Sequence, residues 1–474
     1  MTKITMHGGV NEIGGNKILL SDRSTRVFLD FGLSYNQWGK YFEEYLKPRA
    51  SAGMSDLVKT GLLPDPSVPD FRGVFRSDYL RLLGAQPSKS PGVQAVLLSH
   101  IHYDHSAYIS FLHESVPVYA SPATAAIAEA LSICGQRDFE KEIYEFKFRP
   151  IEKSTDPANP RKWVEVIPGK KTKIDGLEVY GLPVDHSVPG AMLYVVYGSE
   201  GSLLYTGDLR VEGYGTDTVA ALRSLEGEEI DLMLCEGTRI NEADKKTEDY
   251  IRSFAKDLAL RASGLVVADF AFRDVQRLKT FLEVAKLTGR TMVITLKDAI
   301  VLQKLRIKGY DAPDPRNDPS IEVLIERKRK GRFDDSDYDT WEREFLGWKN
   351  VLKSTDVASK GNRRILHAGF FDMTTLLDFE IPEGSRYIHS SSEPHNEEQL
   401  IDQKRMDNWL ELLRLPKFHV HASGHACREE LQQLVDKTRP SRLVPIHTEH
   451  PEMFSQLHPR VAFPILGTPI SLRQ

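Results

Sequence analysis

Four side chains of metal-ligand type fall within six residues, in the order His100-x-His102-x-Asp104-His105. Imidazole and carboxylate groups without a thiolate suit Zn²⁺, with Mn²⁺ or another divalent ion as the alternative. Because the whole chain has only 15 histidines, a chance grouping in a polar loop is a poor explanation. Two neighbouring cations can share a water and lower its pKa, so the motif predicts a dinuclear-metal hydrolase.

Other ligand-type side chains follow apolar runs at the points where strands are expected to end. Strand ends on one edge of a layered fold converge, so these side chains are candidates for the same centre. Singly each is weak, since a lone histidine is more often a core or surface residue, and an acid after glycine is more often a turn residue. Two metals need more ligands than one motif supplies, which favours the whole set: Asp30, His186, Asp208, Glu236 and His447.

The composition restricts the setting of this centre. The three cysteines, Cys134, Cys235 and Cys427, form no CxxC pair, which argues against a disulfide framework and a thiolate zinc site. The formal net charge of −5 gives no indication of a nucleic-acid partner. Without a long apolar run or a signal-type start, the sequence predicts a cytoplasmic protein with no membrane partner.

The elements that position these residues change in character along the chain. Residues 1–240 contain short β-type runs with helices near 107–113 and 123–135, which favours a sheet-rich sandwich with helices outside. Strand, helix and strand then follow at 264–270, 274–288 and 291–295, as in a parallel βαβ unit. The basic run 326–332 is interpreted as a solvated helix face rather than an RNA contact. The predicted domains are 1–240, an inserted α/β domain at 241–395, and a completing part at 396–474.

The ordered motifs resemble those of the metallo-β-lactamase superfamily, and the later ones resemble those of its β-CASP nucleases. The first group is Asp30, His100 to His105, Val184-Asp-His186 and Thr206-Gly-Asp208, and the second is Leu234-Cys-Glu-Gly-Thr238, His421-Ala-Ser-Gly-His425 and Leu443-Val-Pro-Ile-His447-Thr-Glu449. Gly8–Asn16 is similar to the opening of this family, and Ser390–Glu397 is similar to a segment of its ribonuclease J branch. The resemblance covers the whole chain and implies an α/β fold, an αββα sandwich with an inserted Rossmann-like β-CASP domain.

Three departures from that branch stand out. The chain ends soon after His447, so we expect the separate C-terminal domain of typical ribonuclease J to be absent. The segment between Asp30 and Val96 is longer, and His395 stands where glycine is usual. These differences concern the RNA channel, the recognition of the RNA 5′ end and the oligomeric state, for which a homodimer is one option.

The resemblance also implies roles for the residues. It assigns His100, His102 and His186 to one Zn²⁺, assigns Asp104, His105 and His447 to a second, and makes Asp208 the bridge; Asp30 orients ligands. Asp104, Glu236 and His425 are the catalytic candidates, with His425 protonating the leaving oxygen. The RNA phosphate-binding candidates are Ser390, Ser391, His421, Ser423 and Gly424. Helix capping is the alternative for Glu236, and turn chemistry is the alternative for the serines.

A histidine at position 447 is typical of the RNA-acting branch. The predicted function is therefore hydrolysis of RNA, in single-stranded form, by a two-zinc-activated hydroxide, with 5′→3′ exonucleolytic and endonucleolytic cleavage both open. A DNA nuclease and a lactone or thioester hydrolase are the enzymatic alternatives, since a fold does not settle function. The third alternative, a non-catalytic RNA-binding module, is disfavoured because every ligand position is intact.

Overall fold

The computed structural model describes residues 1–473 except 136–137, 154, 212–217, 244–245 and 393–396. The described residues divide into two compact units. The first comprises Met1–Val211, Thr216–Asp244 and Gly424–Gln474, and the second is the inserted segment Lys245–Ser423.

A seven-stranded sheet forms one layer of the first unit. Its strands, in spatial order, are Pro469–Ser471, Lys3–Met6, Lys17–Asp22, Thr25–Phe31, Ala95–Leu97, Val118–Ala120 and Trp163–Glu165. The strands from Pro469–Ser471 to Thr25–Phe31 pair antiparallel with one another. The strands from Thr25–Phe31 to Trp163–Glu165 pair parallel with one another. Since Leu29 pairs with Leu97 in parallel register, the residues after both positions leave the sheet at the same edge.

A six-stranded sheet forms the second layer. Its spatial order is Leu443–Ile446, Leu232–Glu236, Gly201–Tyr205, Met192–Gly198, Leu177–Pro183 and Lys171–Ile174. The first three strands are parallel, and the others alternate in direction. The carboxyl ends of those three parallel strands therefore meet at one edge. One strand ends immediately before His447, the next ends at Glu236, and the third ends at Tyr205, three residues before Asp208.

The two sheets enclose one apolar core. Leu29 and Leu97 of the first sheet and Tyr205, Leu234 and Val444 of the second are buried in the same cluster. The outer face of the second sheet is covered by the helices Thr218–Arg223 and Arg428–Thr438, and the helix Pro122–Cys134 lies against the outermost strand of the first. This arrangement confirms the predicted helix–sheet–sheet–helix sandwich.

The second unit contains a seven-stranded sheet in which every neighbouring pair is parallel. Its spatial order is Val351–Lys353, Ile321–Ile325, Thr291–Thr295, Arg364–His367, Val266–Asp269, Arg386–His389 and Lys417–His419. Helices connect the strands, as parallel pairing requires, which confirms the expected Rossmann-like α/β insert. The connecting helices are Val275–Leu287, Leu296–Ile307, Thr340–Leu346 and Glu397–Leu412, with 3₁₀ helices Ser354–Arg363 and Phe370–Asp378, and the helix Glu248–Arg261 precedes the first strand.

Two details of the insert differ from the sequence prediction. The second unit extends to Ser423 rather than 395, because Met406 and Leu410 pack into its core beside Tyr387, and Lys417–His419 extends its sheet. The helix predicted at 326–332 is wrong: this stretch contains turns, and the Asp337 carboxylate accepts hydrogen bonds from nearby backbone N–H groups there.

The remaining elements of the first unit are short. They are the helices Tyr35–Trp38, Ser55–Lys59, Ser77–Leu82 and Tyr103–Ser106, the 3₁₀ helices Ala50–Ala52, Pro69–Phe71, Ala107–Phe111, Phe139–Lys141 and Pro451–Gln456, and the two-stranded ribbon Glu145–Phe146 with Asn159–Pro160. Among the described residues, we find no helix with the length and apolarity that a bilayer span requires.

Candidate metal centre

The His100 to His105 motif lies where a strand of the first sheet gives way to a short helix. The strand ends at Leu97, and the helix Tyr103–Ser106 begins directly after His102, so Asp104 lies in its first turn. Gly14 permits a close approach to this turn: its φ is +79°, and a Cβ there would lie 2.7 Å from the Cβ of Asp104. The glycine-rich opening of the chain thus packs against the motif.

Three imidazole rings converge in the first ligand cluster. His102 Nδ1 lies 3.0 Å from His100 Nε2 and 3.1 Å from His186 Nε2. Burial, and then the neighbouring His425, lowers the pKa of His186 to about 4, and burial with the adjacent histidines lowers that of His100 as well. Neutral rings direct nitrogen lone pairs at one point, which is the donor set for a divalent cation.

The second cluster combines carboxylate and imidazole groups. His105 Nε2 lies 3.1 Å from Asp208 Oδ2 and 3.7 Å from Asp104 Oδ2, and His447 Nε2 lies 3.2 Å from Asp104 Oδ2. Asp208 Oδ2 is also 3.7 Å from His100 Nε2. The Asp208 carboxylate therefore lies between the two clusters, as a bridging ligand must.

Two buried polar atoms test whether metal ions fit here. His105 Nε2 and Asp208 Oδ1 have no hydrogen-bond partner among the described residues. An unsatisfied buried polar atom is costly, and a coordinated cation would satisfy both. The potential ligand atoms lie within 4.8 Å of one another in three overlapping groups: His100, His102 and His186; Asp104, His105, Asp208 and His447; and His186, Asp208 and His425. The residues fit two divalent ions, and imidazole with carboxylate suits zinc.

Asp30 orients two of these histidines from a buried position in the first sheet. Its Oδ2 accepts hydrogen bonds from His105 Nδ1 at 2.7 Å, Ser99 Oγ at 2.6 Å and Tyr205 Oη at 2.5 Å, and its Oδ1 accepts one from the Ser99 N–H at 2.7 Å. Ser99 Oγ lies 3.0 Å from His100 Nδ1. These contacts turn Nε2 of both rings toward the centre.

His186 and His447 are held in the same way by neighbouring backbone and hydroxyl groups. His186 Nδ1 donates to the Gly424 carbonyl at 2.6 Å, and His447 Nδ1 lies 2.9 Å from Thr238 Oγ1. A Cβ at Gly424 would lie 2.9 Å from His186 Nδ1. A glycine is therefore required where the chain returns to the first unit.

Glu236 and His425 form a pair next to the ligand clusters. His425 Nδ1 lies 3.3 Å from Glu236 Oε1 and 3.9 Å from Asp208 Oδ2. Burial alone would lower the pKa of His425, but the two carboxylates outweigh it and raise that pKa to about 9. Glu236 also accepts hydrogen bonds from the N–H of Thr238 at 2.9 Å and of Leu209 at 3.4 Å, so it stabilises the local turn as well as His425.

The phosphate-binding candidates divide between the units, because Gly424 belongs to the first and the other four belong to the second. The Ser390 hydroxyl donates to the Val420 carbonyl at 2.8 Å and accepts from Arg277 at 2.7 Å. The hydroxyl proton of Ser390 is thus already donated inside the second unit. The sequence did not predict this hydrogen bond. His421 Nδ1 lies 3.2 Å from the Ser390 carbonyl, and Ser391 is half-buried. His395 lies outside the described residues.

Sequence reasoning placed the ligand residues together but missed the groups that orient them. Asp30, His100, His102, Asp104, His105, His186, Asp208, Glu236, His425 and His447 all meet at one edge of the first unit. The missed residues are Ser99, Tyr205 and Thr238. The one sequence feature that could have identified them is proximity, since each lies within three residues of a predicted ligand or catalytic residue.

Two known families match the chain. The β-lactamase superfamily domain matches residues 61–263, and the Zn-dependent metallo-hydrolase RNA specificity domain matches residues 417–457, which include His425 and His447. With the sandwich and the ligand clusters described above, these matches make the chain similar to the metallo-hydrolases of the β-lactamase superfamily, whose domain matches residues 61–263.

Within that class the chain is similar to the ribonuclease J proteins over most of its length. It is 23% identical to ribonuclease J of Mycobacterium tuberculosis over 94% of this chain and 68% of the relative. It is 22% identical to ribonuclease J of Pyrococcus abyssi over 95% and 90%, and 24% identical to ribonuclease J 2 of Streptococcus pyogenes over 96% and 71%. A crystal structure of a protein of unknown function from Enterococcus faecalis V583 shares the fold, with a TM-score of 0.72, 22% identity and 99% coverage of both chains.

Proposed function

We propose that this chain is a zinc-dependent ribonuclease that hydrolyses phosphodiester bonds of single-stranded RNA, by 5′→3′ exonucleolytic cleavage, endonucleolytic cleavage or both. The observation that carries the proposal is the position of Asp208 between two ligand clusters, in a chain whose residues 417–457 match an RNA specificity domain. The similarity to ribonuclease J proteins supports RNA as the substrate class.

The first ion would be held by His100, His102 and His186, and the second by Asp104, His105 and His447, with Asp208 shared. Two such cations, when bound, supply Lewis acidity and a water of lowered pKa. The protein keeps four of these rings in one tautomer, because Asp30, Ser99, Thr238 and the Gly424 carbonyl contact the Nδ1 atoms that face away from the ligand clusters.

His425 is the proposed general acid of the reaction. It holds a proton on Nδ1 toward Glu236, which makes Nε2 the atom that delivers a proton to the leaving 3′ oxygen. Glu236 acts through His425, as a positioning residue. We propose that the inserted unit Lys245–Ser423 is the β-CASP domain that binds the substrate, with His421, Ser391 and Ser423 as candidates for phosphate contacts.

The proposal is tested on purified, zinc-loaded protein with 5′-labelled RNA that carries triphosphate, monophosphate or hydroxyl ends. Mononucleotide release that prefers the monophosphate indicates a 5′→3′ exonuclease, and internal fragments indicate an endonuclease. Single-stranded DNA of equal sequence and a panel of lactones and thioesters are assayed in parallel. Faster cleavage of the DNA, or turnover of the small molecules with intact RNA, would overturn the proposal.

A further inference from the structure

An aromatic segment follows the strand that carries Asp30. Residues 35–45 contain five aromatic residues in eleven positions, whereas aromatic residues make up 9% of the whole chain. The segment begins with the short helix Tyr35–Trp38 and continues without regular structure. It belongs to the stretch between Asp30 and Val96, which the sequence predicts to be longer than in the ribonuclease J branch.

The five rings of this aromatic segment have two different environments. Trp38 and Phe42 pack against each other, with ring centroids 5.5 Å apart. Tyr35, Tyr41 and Tyr45 instead present 49%, 50% and 87% of their surface to solvent. Large exposed rings in one place mark an interaction surface, whereas a single exposed ring needs no explanation.

Hydrogen bonds anchor the segment to the loops of the metal centre. The Leu33 N–H donates to the carbonyl of Tyr103, the residue between His102 and Asp104, at 3.0 Å. Ser34 Oγ donates to Glu12 Oε2 at 2.6 Å, and Asn36 Nδ2 donates to Glu449 Oε1, two residues after His447, at 3.3 Å. The start of the segment, with the exposed Tyr35, therefore lies beside the loops of the centre, and Tyr41 and Tyr45 follow it along the chain.

The same segment leads into the wall of a cavity of about 1020 Å³. Lys47, Tyr103, Phe139 and Tyr144 are among the residues that line it, together with acidic residues such as Glu140 and Glu145. Lys141 Nζ lies 5.2 Å from the centroid of the Tyr103 ring. The aromatic segment and the cavity lining thus both contain aromatic side chains, and both belong to the first unit.

The charges of the segment decide which part of a nucleic acid it would contact. Within residues 35–45, Lys40 is outweighed by Glu43 and Glu44, so the segment offers no net attraction to a phosphate backbone. Aromatic faces bind bases, and only unpaired bases expose a face for stacking. Unpaired bases are the ligand that this chemistry selects.

We propose that Tyr35, Tyr41 and Tyr45 form a stacking platform for unpaired nucleobases, and that the adjoining cavity receives the next base of a single strand that runs to the metal centre. The inference rests on the proposed function, since it takes the substrate to be single-stranded RNA. It assigns substrate selection to the first unit, in addition to the inserted one.

The test is RNA binding by the full chain in the presence of a chelator, which separates binding from cleavage. A fluorescently labelled single-stranded RNA is titrated against wild-type protein, a Tyr41→Ala/Tyr45→Ala variant and a Tyr41→Phe/Tyr45→Phe variant. Phe463→Ala is the matched control, because Phe463 is 50% exposed on the same unit and lies outside the segment. The unfolding midpoint of each variant verifies that it is folded.

We expect the double alanine variant to lose affinity by at least about thirtyfold, from the stacking of two bases. The phenylalanine variant and Phe463→Ala should bind like wild type, and the slope of affinity against salt should not change. Affinity of the alanine variant within about twofold of wild type, or a reduced salt slope, would overturn the platform. A wild-type chain that binds single-stranded RNA through these tyrosines without cleaving it would overturn the proposed function alone. Cleavage with unaltered binding by the variants would overturn the platform alone.

Discussion

Replacing Asp30 by asparagine tests whether the ligand histidines are held by the first sheet. The Asp30 carboxylate accepts from four donors: the Ser99 N–H and hydroxyl, the Tyr205 hydroxyl and His105 Nδ1–H. An asparagine has one acceptor oxygen, so at least one of these buried donors must face an amide NH₂ group. The substitution keeps the size of the side chain and removes only its charge and one acceptor.

The expected magnitude follows from these contacts. A hydrogen bond to a charged group contributes about 1.5–3 kcal/mol, and a buried donor left without a partner costs about 1–3 kcal/mol. We therefore expect the free energy of unfolding of the Asp30→Asn variant to fall by about 2–4 kcal/mol. Because His105 and, through Ser99, His100 lose their orientation, zinc affinity should fall by about 10- to 100-fold.

Asp22→Asn is the matched control for this experiment. Asp22 is also a buried carboxylate of the first sheet, and it accepts from Thr2 Oγ1 at 2.7 Å and from the Ser199 N–H at 2.9 Å and hydroxyl at 2.5 Å. Urea unfolding of the metal-free proteins gives the stabilities, and competition with a chromophoric chelator gives the zinc affinities. Both variants should lose stability, and only Asp30→Asn should lose zinc affinity. If its zinc affinity stays within about twofold of wild type, the orienting role of Asp30 is refuted.

Three further predictions concern the ligands, the general acid and the second unit. His102→Ala and Asp208→Ala should lose at least one bound zinc and abolish hydrolysis while the chain stays folded; elemental analysis with full zinc occupancy in both would contradict the two-cluster assignment. His425→Ala should keep its zinc and its KM for RNA but lower kcat by about 10²–10⁴-fold, as removal of a general acid does; loss of zinc would instead make His425 a ligand. In the second unit, burial would lower the pKa of His367, but Asp298 at 2.7 Å raises it to about 9. The pKa of His367 is therefore higher in the folded state than in the unfolded state. The stability that wild type gains over His367→Gln should be complete below about pH 6.5 and should disappear as the pH rises through about 9. Unfolding curves at several pH values would check this.

The part of the site that depends on strand ends could be predicted from the sequence. Asp208, Glu236 and His447 each lie at the end of an apolar run, and parallel pairing of three neighbouring strands brings those ends together. The distribution of the ligands between two clusters was implied by family resemblance rather than by spacing. No local sequence pattern predicts that His102 faces the first cluster with Nδ1, whereas His100 faces it with Nε2.

The orienting groups could not be predicted, because serine, threonine and tyrosine are common residues with many uses. Ser99 and Thr238 act only through contacts that fold-level packing creates. The extent of the insert was unpredictable for a related reason. Helix Glu397–Leu412 is bound to the second unit by Met406 and Leu410, and two apolar residues four positions apart do not specify which unit they pack into.

The position of Gly424 has a consequence for the order in which an active molecule is made on the ribosome. The carbonyl that holds His186, the candidate acid His425 and the ligand His447 all come from chain synthesised after the insert, whereas the other ligands precede it. A nascent chain that has only reached the insert therefore lacks a complete metal centre. Under the proposed function, the chain cannot cut RNA until the ribosome has synthesised it beyond His447.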